Sequence, residues 1–187
     1  MAHIIILLDE SGSMNVLGDK PLVAVNNILS TTFEENNCVF SLYKFNNCVS
    51  PMFQYTPNPV NFLYKPYGMT ALFDALGLAI DSYSMTDITT FCIVITDGSD
   101  NCSADYKFEE IKEKINILEN NNWSFIFMCG ERNMDIEYTA NMFGLPKNRF
   151  LSFDTNTPDE LLDITRKITD EISTKNALEL FKNFNLN

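Results

Sequence analysis

The sequence predicts a Rossmann-like α/β protein of three layers, in which helices cover both faces of a mostly parallel sheet that has one antiparallel edge strand. Two observations lead to this prediction. Short apolar runs alternate with amphipathic stretches along most of the 187 residues, and one pair of extended runs has no helix between its members. Strands that alternate with helices are joined by right-handed crossovers and therefore run parallel, with helices packed on both faces.

Four apolar runs are predicted to be buried strands, because they are rich in Ile, Val and Phe and too short for buried helices. They are His3–Leu8, Phe91–Thr96, Ser124–Met128 and Arg149–Phe153. Two further extended runs, Cys38–Phe45 and Cys48–Tyr55, are separated only by Asn46-Asn47. Because Asn tolerates a positive φ, a tight hairpin turn is expected there, and it gives the sheet its antiparallel edge.

Amphipathic stretches with apolar residues every three or four positions predict the helices. They are Pro21–Glu35, Ala71–Met85 and Phe108–Leu118. A last helix is expected from Pro158, with Thr157 as its cap and Glu160 completing a capping box. One domain is predicted over residues 1–175, followed by a helical extension or tail at 176–187.

Charge and composition exclude several classes of function. The formal net charge is −12, which argues against nucleic acid or an anionic membrane as the partner, since both require a basic face. No apolar run approaches the length of a membrane span, and the run His3–Leu8 is too short for a secretory signal. Five cysteines, mostly inside apolar runs, predict reduced thiols and a cytoplasmic location.

Oxygen-bearing side chains follow the first predicted strand, in the run Asp9-Glu10-Ser11-Gly12-Ser13. Carboxylate and hydroxyl oxygens suit a small hard cation such as Mg²⁺. Ser11 and Ser13 alternate, so both hydroxyls can turn inward. Gly12 is expected to allow a backbone conformation that other residues resist, and the same is expected of Gly98.

Two later segments are predicted to complete the same site. Thr70 opens a predicted helix, and Asp97 ends a predicted strand. In open α/β sheets, ligands bind beyond the carboxyl ends of the strands, where the strand order reverses. Two carboxylates would leave a bound Mg²⁺ or Mn²⁺ electrophilic, so that a carboxylate from another molecule can fill one coordination position. The metal then bridges two proteins.

The order D-x-S-x-S, then Thr70, then Asp97 resembles the metal-ion-dependent adhesion site of the von Willebrand factor type A family, which includes integrin I domains. The flanking runs Tyr67–Ala75 and Ile95–Asn101 resemble those of intracellular and phage-borne members. The resemblance covers residues 3 to 155. It implies Ser11, Ser13 and Thr70 as direct ligands, with Asp9 and Asp97 often acting through water. It also implies binding of a protein partner that supplies an acidic residue, without catalysis.

Three alternatives stay open. In the first, the hydroxyls and carboxylates simply cap turns and helices. An Mg²⁺-dependent phosphohydrolase would also place an Asp after the first strand, but such enzymes usually have a second Asp where this chain has Ser11. A serine hydrolase needs a base, and His3, the only histidine, lies at the far end of the strand. In the third alternative the chain is a structural subunit of a viral or stress-response assembly, and the metal only braces the loops.

Residues around the site receive separate predictions. Glu10 is expected to point away from the ligands as an exposed charge that attracts cations. Asp74 and Asp100 are expected either to support the ligands from behind or to cap backbone groups, rather than to bind metal. Met14, Tyr67 and Met69 flank the site, and partner contact and loop packing are left as equal alternatives. His3 and Trp123 are predicted to be structural, and the roles of Phe181 and Phe184 are left open.

Overall fold

A computed structural model describes residues 2–35, 38–130 and 135–174. In these ranges the strands are β1 (Ala2–Asp9), β2 (Cys38–Phe45), β3 (Val49–Thr56), β4 (Thr89–Thr96), β5 (Trp123–Gly130) and β6 (Phe150–Phe153). The helices are α1 (Lys20–Glu35), α2 (Leu72–Tyr83), α3 (Phe108–Glu119), α4 (Ile136–Phe143) and α5 (Asp159–Thr174). Short 3₁₀ helices cover Gly12–Leu17 and Lys147–Arg149.

The six strands form one sheet in the order β3-β2-β1-β4-β5-β6. Every neighbouring pair is parallel except β2 and β3, which pair antiparallel at one edge. The predicted fold class is therefore confirmed. From β1 the chain adds β2 and β3 on one side of the sheet. It then returns to the other side of β1 and adds β4, β5 and β6. The strand order thus reverses between β1 and β4, which is where open sheets of this kind bind ligands.

Strand β1 lies in the middle of the protein, and all eight of its residues are buried. Its side chains alternate between two cores, as the pleat of a strand requires. Ile4 and Ile6 contribute to the core that also includes α1 and α5 residues, whereas Ile5 and Leu7 contribute to the core with α2 and α3 residues. Burial on both faces explains why the strand is an unbroken apolar run up to Asp9.

Helix α4 is a difference from the sequence-based expectation, which contained no helix between β5 and β6. Asp135 caps it by accepting a hydrogen bond from the backbone N–H of Tyr138, and Gly144 ends it in a left-handed conformation with φ of 72°. The helix has only eight residues, so its apolar positions are too few to reveal a helical period.

The predicted capping box of α5 is also wrong. The Glu160 carboxylate accepts from the backbone N–H of Asp154 (2.8 Å), while the N–H of Thr157 donates to the Asp154 carbonyl (2.9 Å). Because a turn at Asp154 already satisfies Thr157, Glu160 holds that turn instead. Residues 176–187, with Phe181 and Phe184, lie outside the described residues.

Two predictions about core residues are confirmed, since His3 and Trp123 are both buried. All five cysteines are free thiols, and Cys48 is exposed. Within the described ranges, no helix is long and apolar enough to cross a membrane.

Candidate metal site

The candidate site lies where β1 and β4 end side by side. Asp9 is the last residue of β1, and Asp97 directly follows β4. The register pairs Leu8 with Ile95, so the two strands reach their carboxyl ends at the same level. The two aspartates therefore leave the sheet next to each other, as the sequence predicted.

The Asp9 carboxylate is buried and held through both oxygens. Its Oδ1 accepts from the backbone N–H of Ser11 (2.7 Å), and its Oδ2 accepts from the hydroxyl of Thr96 (2.6 Å). Thr96 was not among the predicted site residues. The sequence carried a partial signal, because Thr96 is the one polar residue of the predicted run Phe91–Thr96.

The two serines connect the carboxylates across the site. Ser11 Oγ lies 3.1 Å from Ser13 Oγ, and the Ser13 hydroxyl donates to Asp97 Oδ1 (2.7 Å). Their alternation therefore does turn both hydroxyls toward the same place. Ser11 and Asp97 are buried but Ser13 is exposed, so the site opens to solvent on the side of Ser13.

Thr70 reaches the site from the segment before α2. Its backbone N–H donates to Asn101 Oδ1 (2.8 Å), and its carbonyl accepts from the Asn101 N–H (3.0 Å). Its hydroxyl lies beside Gly98, since a Cβ added to that glycine would be 3.8 Å from Thr70 Oγ1. The structure thus gathers all five predicted residues at one edge of the sheet.

The electrostatics of the site favour a cation. Neither Asp9 nor Asp97 forms an ion pair with any described residue. Burial raises the pKa of Asp9 to about 6, opposed by its hydrogen bonds to Thr96 and Ser11, and the charge of Asp97 adds a smaller upward contribution. Burial raises the pKa of Asp97 as well, opposed by the hydrogen bond from Ser13. Two buried carboxylates without a countercharge gain from a bound cation.

The donor set fits a hard divalent ion such as Mg²⁺ or Mn²⁺, because it consists of carboxylate and hydroxyl oxygens. The described residues hold no group of three or more His, Cys, Asp or Glu side chains suited to a metal ion. A metal ion at the carboxyl ends of β1 and β4 would therefore depend on the hydroxyls of Ser11, Ser13 and Thr70.

The surroundings of Glu10 differ from the prediction. Its side chain does point away from the ligands, but it is almost completely buried and forms an ion pair with Lys44 (2.7 Å). It also accepts a hydrogen bond from the backbone N–H of Lys65 (2.7 Å). The prediction of an exposed, cation-attracting charge is wrong, because β2 places the ammonium of Lys44 against it.

Asp74 and Asp100 cap backbone groups, as predicted. Asp74, in the first turn of α2, accepts from the backbone N–H groups of residues 104–106 at 2.9–3.0 Å. Asp100 accepts from the backbone N–H of Phe73 and from the hydroxyl of Ser103. Together these contacts fasten the loop after β4 to the start of α2, and so support the position of Thr70.

Gly12 and Gly98 do not have the unusual backbone conformations that were expected of them. The positive-φ glycines are Gly18, Gly68 and Gly144, so neither Gly12 nor Gly98 adopts an unusual φ. Gly12 is explained by close approach, since its N–H donates to the Gly68 carbonyl (3.0 Å) and an added Cβ would lie 3.3 Å from that oxygen. At Gly68 itself φ is 81°, and an added Cβ would clash with Asn47 Oδ1.

Comparison with solved structures shows that the chain has the von Willebrand factor A fold. Proximal thread matrix protein 1 of the mussel byssus superposes with a TM-score of 0.70 at 17% identity, over 91% of this chain and 47% of that one. A von Willebrand factor type A protein from Catenulispora acidiphila gives 0.64 at 14% identity, over 94% and 43%. The manganese-loaded TRAP protein of Plasmodium vivax gives 0.59 at 16% identity, over 88% and 73%.

This chain spans about half the length of the mussel protein, another structure of which has a zinc-occupied metal-ion-dependent adhesion site. By sequence, the chain matches no family profile and no curated protein. At these identities the structures establish the shared fold.

Proposed function

We propose that this protein is a metal-dependent binding module that holds Mg²⁺ or Mn²⁺ and presents the ion to an acidic residue of a protein partner. One observation carries the proposal: two buried carboxylates, Asp9 and Asp97, are linked through the Ser11 N–H and the hydroxyls of Ser11 and Ser13, and have no described basic partner. Structures of the same fold that contain zinc or manganese support it.

The contacts of each side chain suggest its role toward the ion. Ser11, Ser13 and Thr70 offer hydroxyl oxygens as direct ligands. Both oxygens of Asp9 already accept hydrogen bonds, which suits a carboxylate that contacts the ion indirectly, by accepting hydrogen bonds from metal-bound water. Asp97 holds the hydroxyl of Ser13 in place. When bound, the ion would supply an electrophilic position for the partner's carboxylate.

The burial of Asp9 weighs against the phosphohydrolase alternative. A nucleophilic aspartate must reach the substrate with a free oxygen, whereas Asp9 is fully buried and hydrogen bonded through both oxygens. In the serine hydrolase alternative, His3 would have to serve as the base. His3 instead lies at the other end of β1, with its Nε2 2.9 Å from Ser41 Oγ. Binding without catalysis is therefore the function that we propose.

The five free thiols support a cytoplasmic location as part of the same proposal, since Cys48 is exposed and would be prone to oxidation elsewhere.

Calorimetric titration of chelator-treated protein with Mg²⁺ and Mn²⁺ tests the metal site. We expect one saturable site in the wild type and none in Asp97→Ala. Asp105→Ala is the matched control, because Asp105 is an exposed aspartate of the same loop. No binding by the wild type, or equal binding by Asp97→Ala, would contradict the proposal.

A second measurement separates the binding module from the structural subunit. In a binding module, chelation releases the partner while the circular dichroism spectrum stays unchanged. If the ion only braces the loops, chelation lowers the unfolding temperature and leaves partner binding intact in the protein that remains folded.

A further inference from the structure

The segment that leads to Thr70 is extended up to Tyr67, bends at Gly68 with a φ of 81°, and has two different faces. Phe62 and Tyr64 pack inward against the core. The side chains between and after them point outward and are exposed, namely Leu63, Lys65, Tyr67 and Met69. From Phe62 to Tyr67 this alternation is that of a strand, although the segment belongs to no sheet. The four exposed side chains are called the 63–69 surface below.

The backbone beneath the 63–69 surface is fixed by Glu10 and its ion-pair partner. Lys44 Nζ donates to the Leu63 carbonyl (2.6 Å), and the N–H of Lys65 donates to the Glu10 carboxylate (2.7 Å). The N–H of Tyr67 donates to the Glu10 carbonyl (2.8 Å). Glu10 lies between two candidate ligands, so the surface and the metal site share one support.

The end of the segment nearest the metal site is fixed as well. The Gly68 carbonyl accepts from the N–H of Gly12 (3.0 Å), and the N–H of Met69 donates to Asn47 Oδ1 (3.1 Å). The backbone is therefore held in place while the side chains face solvent. A partner that binds such a surface loses little free energy to ordering it.

The exposed side chains are of the kind found in protein interfaces. Leu63 is 73% exposed, Tyr67 61% and Met69 48%. With Val16 they make four of the ten large hydrophobic side chains that are exposed in the described ranges. Tyr and Met are enriched in protein interfaces, and apolar groups clustered at one place mark a binding surface.

The charge of the 63–69 surface indicates the chemistry of its partner. The protein carries a net charge of −12, yet the exposed Lys65 lies in this surface. A cavity of about 270 Å³ next to it is lined by Lys65, Leu63 and Tyr67, and by Lys44 and Glu10, whose charges are paired with each other. A bound metal would add positive charge at the Thr70 end. The surface therefore complements an acidic chain that also carries apolar side chains.

We propose that the 63–69 surface docks an extended, acidic segment of a protein partner. The segment sets one carboxylate on the metal, lays its neighbouring apolar side chains against Tyr67 and Met69, and places a second carboxylate at Lys65. The extended part from Leu63 to Tyr67 spans about 13 Å, which corresponds to roughly five residues of an extended partner. The metal contact rests on the proposed function, whereas the apolar and Lys65 contacts are independent of it.

Selection from a displayed library of random peptides tests the proposal. Peptides bound in the presence of Mn²⁺ are eluted with EDTA, and the enriched sequences are synthesised with a fluorescent label. We expect an acidic residue next to an apolar residue, with a second acidic residue further along the peptide. Fluorescence anisotropy then gives the affinity of a selected peptide for wild type and variants.

The variants have matched controls elsewhere on the chain. Tyr67→Ser is compared with Tyr138→Ser, and Met69→Ser with Met85→Ser, because the control side chains are 63% and 94% exposed. Loss of an interface anchor should weaken peptide binding about tenfold for the first member of each pair, and the controls should bind like wild type. Lys65→Glu should weaken binding roughly threefold, whereas Lys107→Glu should not.

Calorimetry with Mn²⁺ on the same variants separates the two proposals. If wild type binds no metal, the proposed function fails. If metal binding is intact in all variants but peptide affinity is equal in Tyr67→Ser and Tyr138→Ser, only the docking surface is overturned. The same holds if wild type binds Mn²⁺ and the library yields no EDTA-eluted peptide, or yields peptides without apolar residues.

Discussion

The hydroxyl of Thr96 donates a hydrogen bond to the buried carboxylate of Asp9, with 2.6 Å between Oγ1 and Oδ2. The same oxygen accepts from the N–H of Gly98 (3.2 Å). Thr96 therefore joins the end of β1 to the loop that carries Asp97. It touches two parts of the candidate site without being a candidate ligand.

Replacing Thr96 by Val should leave one Asp9 oxygen buried without its donor. We expect the metal-free protein to lose about 1–3 kcal/mol of unfolding free energy, and Mn²⁺ to bind more weakly because Asp9 is no longer oriented. Urea unfolding with chelator and calorimetry with Mn²⁺ measure the two effects. Thr96→Ser should restore both, since it keeps the hydroxyl. Mn²⁺ affinity in Thr96→Val equal to that of wild type would contradict the positioning role.

The pH dependence of stability should contain opposing contributions from the buried aspartates of the site and from His3. The pKa of Asp9 rises from its ordinary 3.8 to about 6, so the native state holds the proton more tightly. The stabilisation of the native state that results from this tighter proton binding is complete below pH 3.8 and is lost as the pH rises through about 6. Burial lowers the pKa of His3 from 6.5 to about 4, so its contribution is complete above 6.5 and is lost as the pH falls. Each amounts to about 3 kcal/mol.

Single substitutions should separate these contributions in metal-free protein. Asp9→Asn removes one of the two raised aspartate pKa values, so its unfolding free energy should rise more steeply with pH between about 4 and 6.5 than that of wild type. In His3→Gln the remaining aspartates make the unfolding free energy fall over the same window. The wild-type slope should lie between those of the two variants. Denaturation in urea at several pH values, with chelator present, measures all three profiles, and parallel profiles would refute the assignment.

Two glycines with positive φ provide a matched test of the segment beside the site. Gly18 has a φ of 59° and nothing within 4 Å of an added Cβ, whereas at Gly68 the added Cβ would clash with Asn47 Oδ1. Gly18→Ala should cost about 1 kcal/mol from backbone strain alone. Gly68→Ala should cost more and should also weaken Mn²⁺ binding, because Thr70 is two residues away.

Removing the Asn47 side chain should relieve part of the cost at Gly68. In the Asn47→Ala background, we expect Gly68→Ala to be less destabilising than in wild type, which a double-mutant cycle of urea unfolding detects. Gly18→Ala should cost the same in both backgrounds. An additive cycle at Gly68 would show that backbone strain is the whole effect.

The sequence was sufficient for the fold and for the gathering of the five candidate residues. Both follow from local patterns, since apolar runs define the strands and parallel strands bring their carboxyl ends to one edge. What it did not provide depends on contacts between distant residues. Glu10 is buried because the β1–β2 register pairs Leu8 with Lys44, and one sequence does not show that register. Thr96 faces Asp9 for the same kind of reason, since strand pairing decides it.

The anchoring of residues 63–69 through their main chain has a consequence for how this protein can diversify. Glu10, Lys44 and Asn47 bind backbone groups of the segment, and backbone groups are the same whatever the side chain. The outward positions can therefore be exchanged without loosening the segment or disturbing the oxygen cluster beside it. Substitutions at positions 63, 65, 67 and 69 can therefore change which partner is bound while the metal site stays the same.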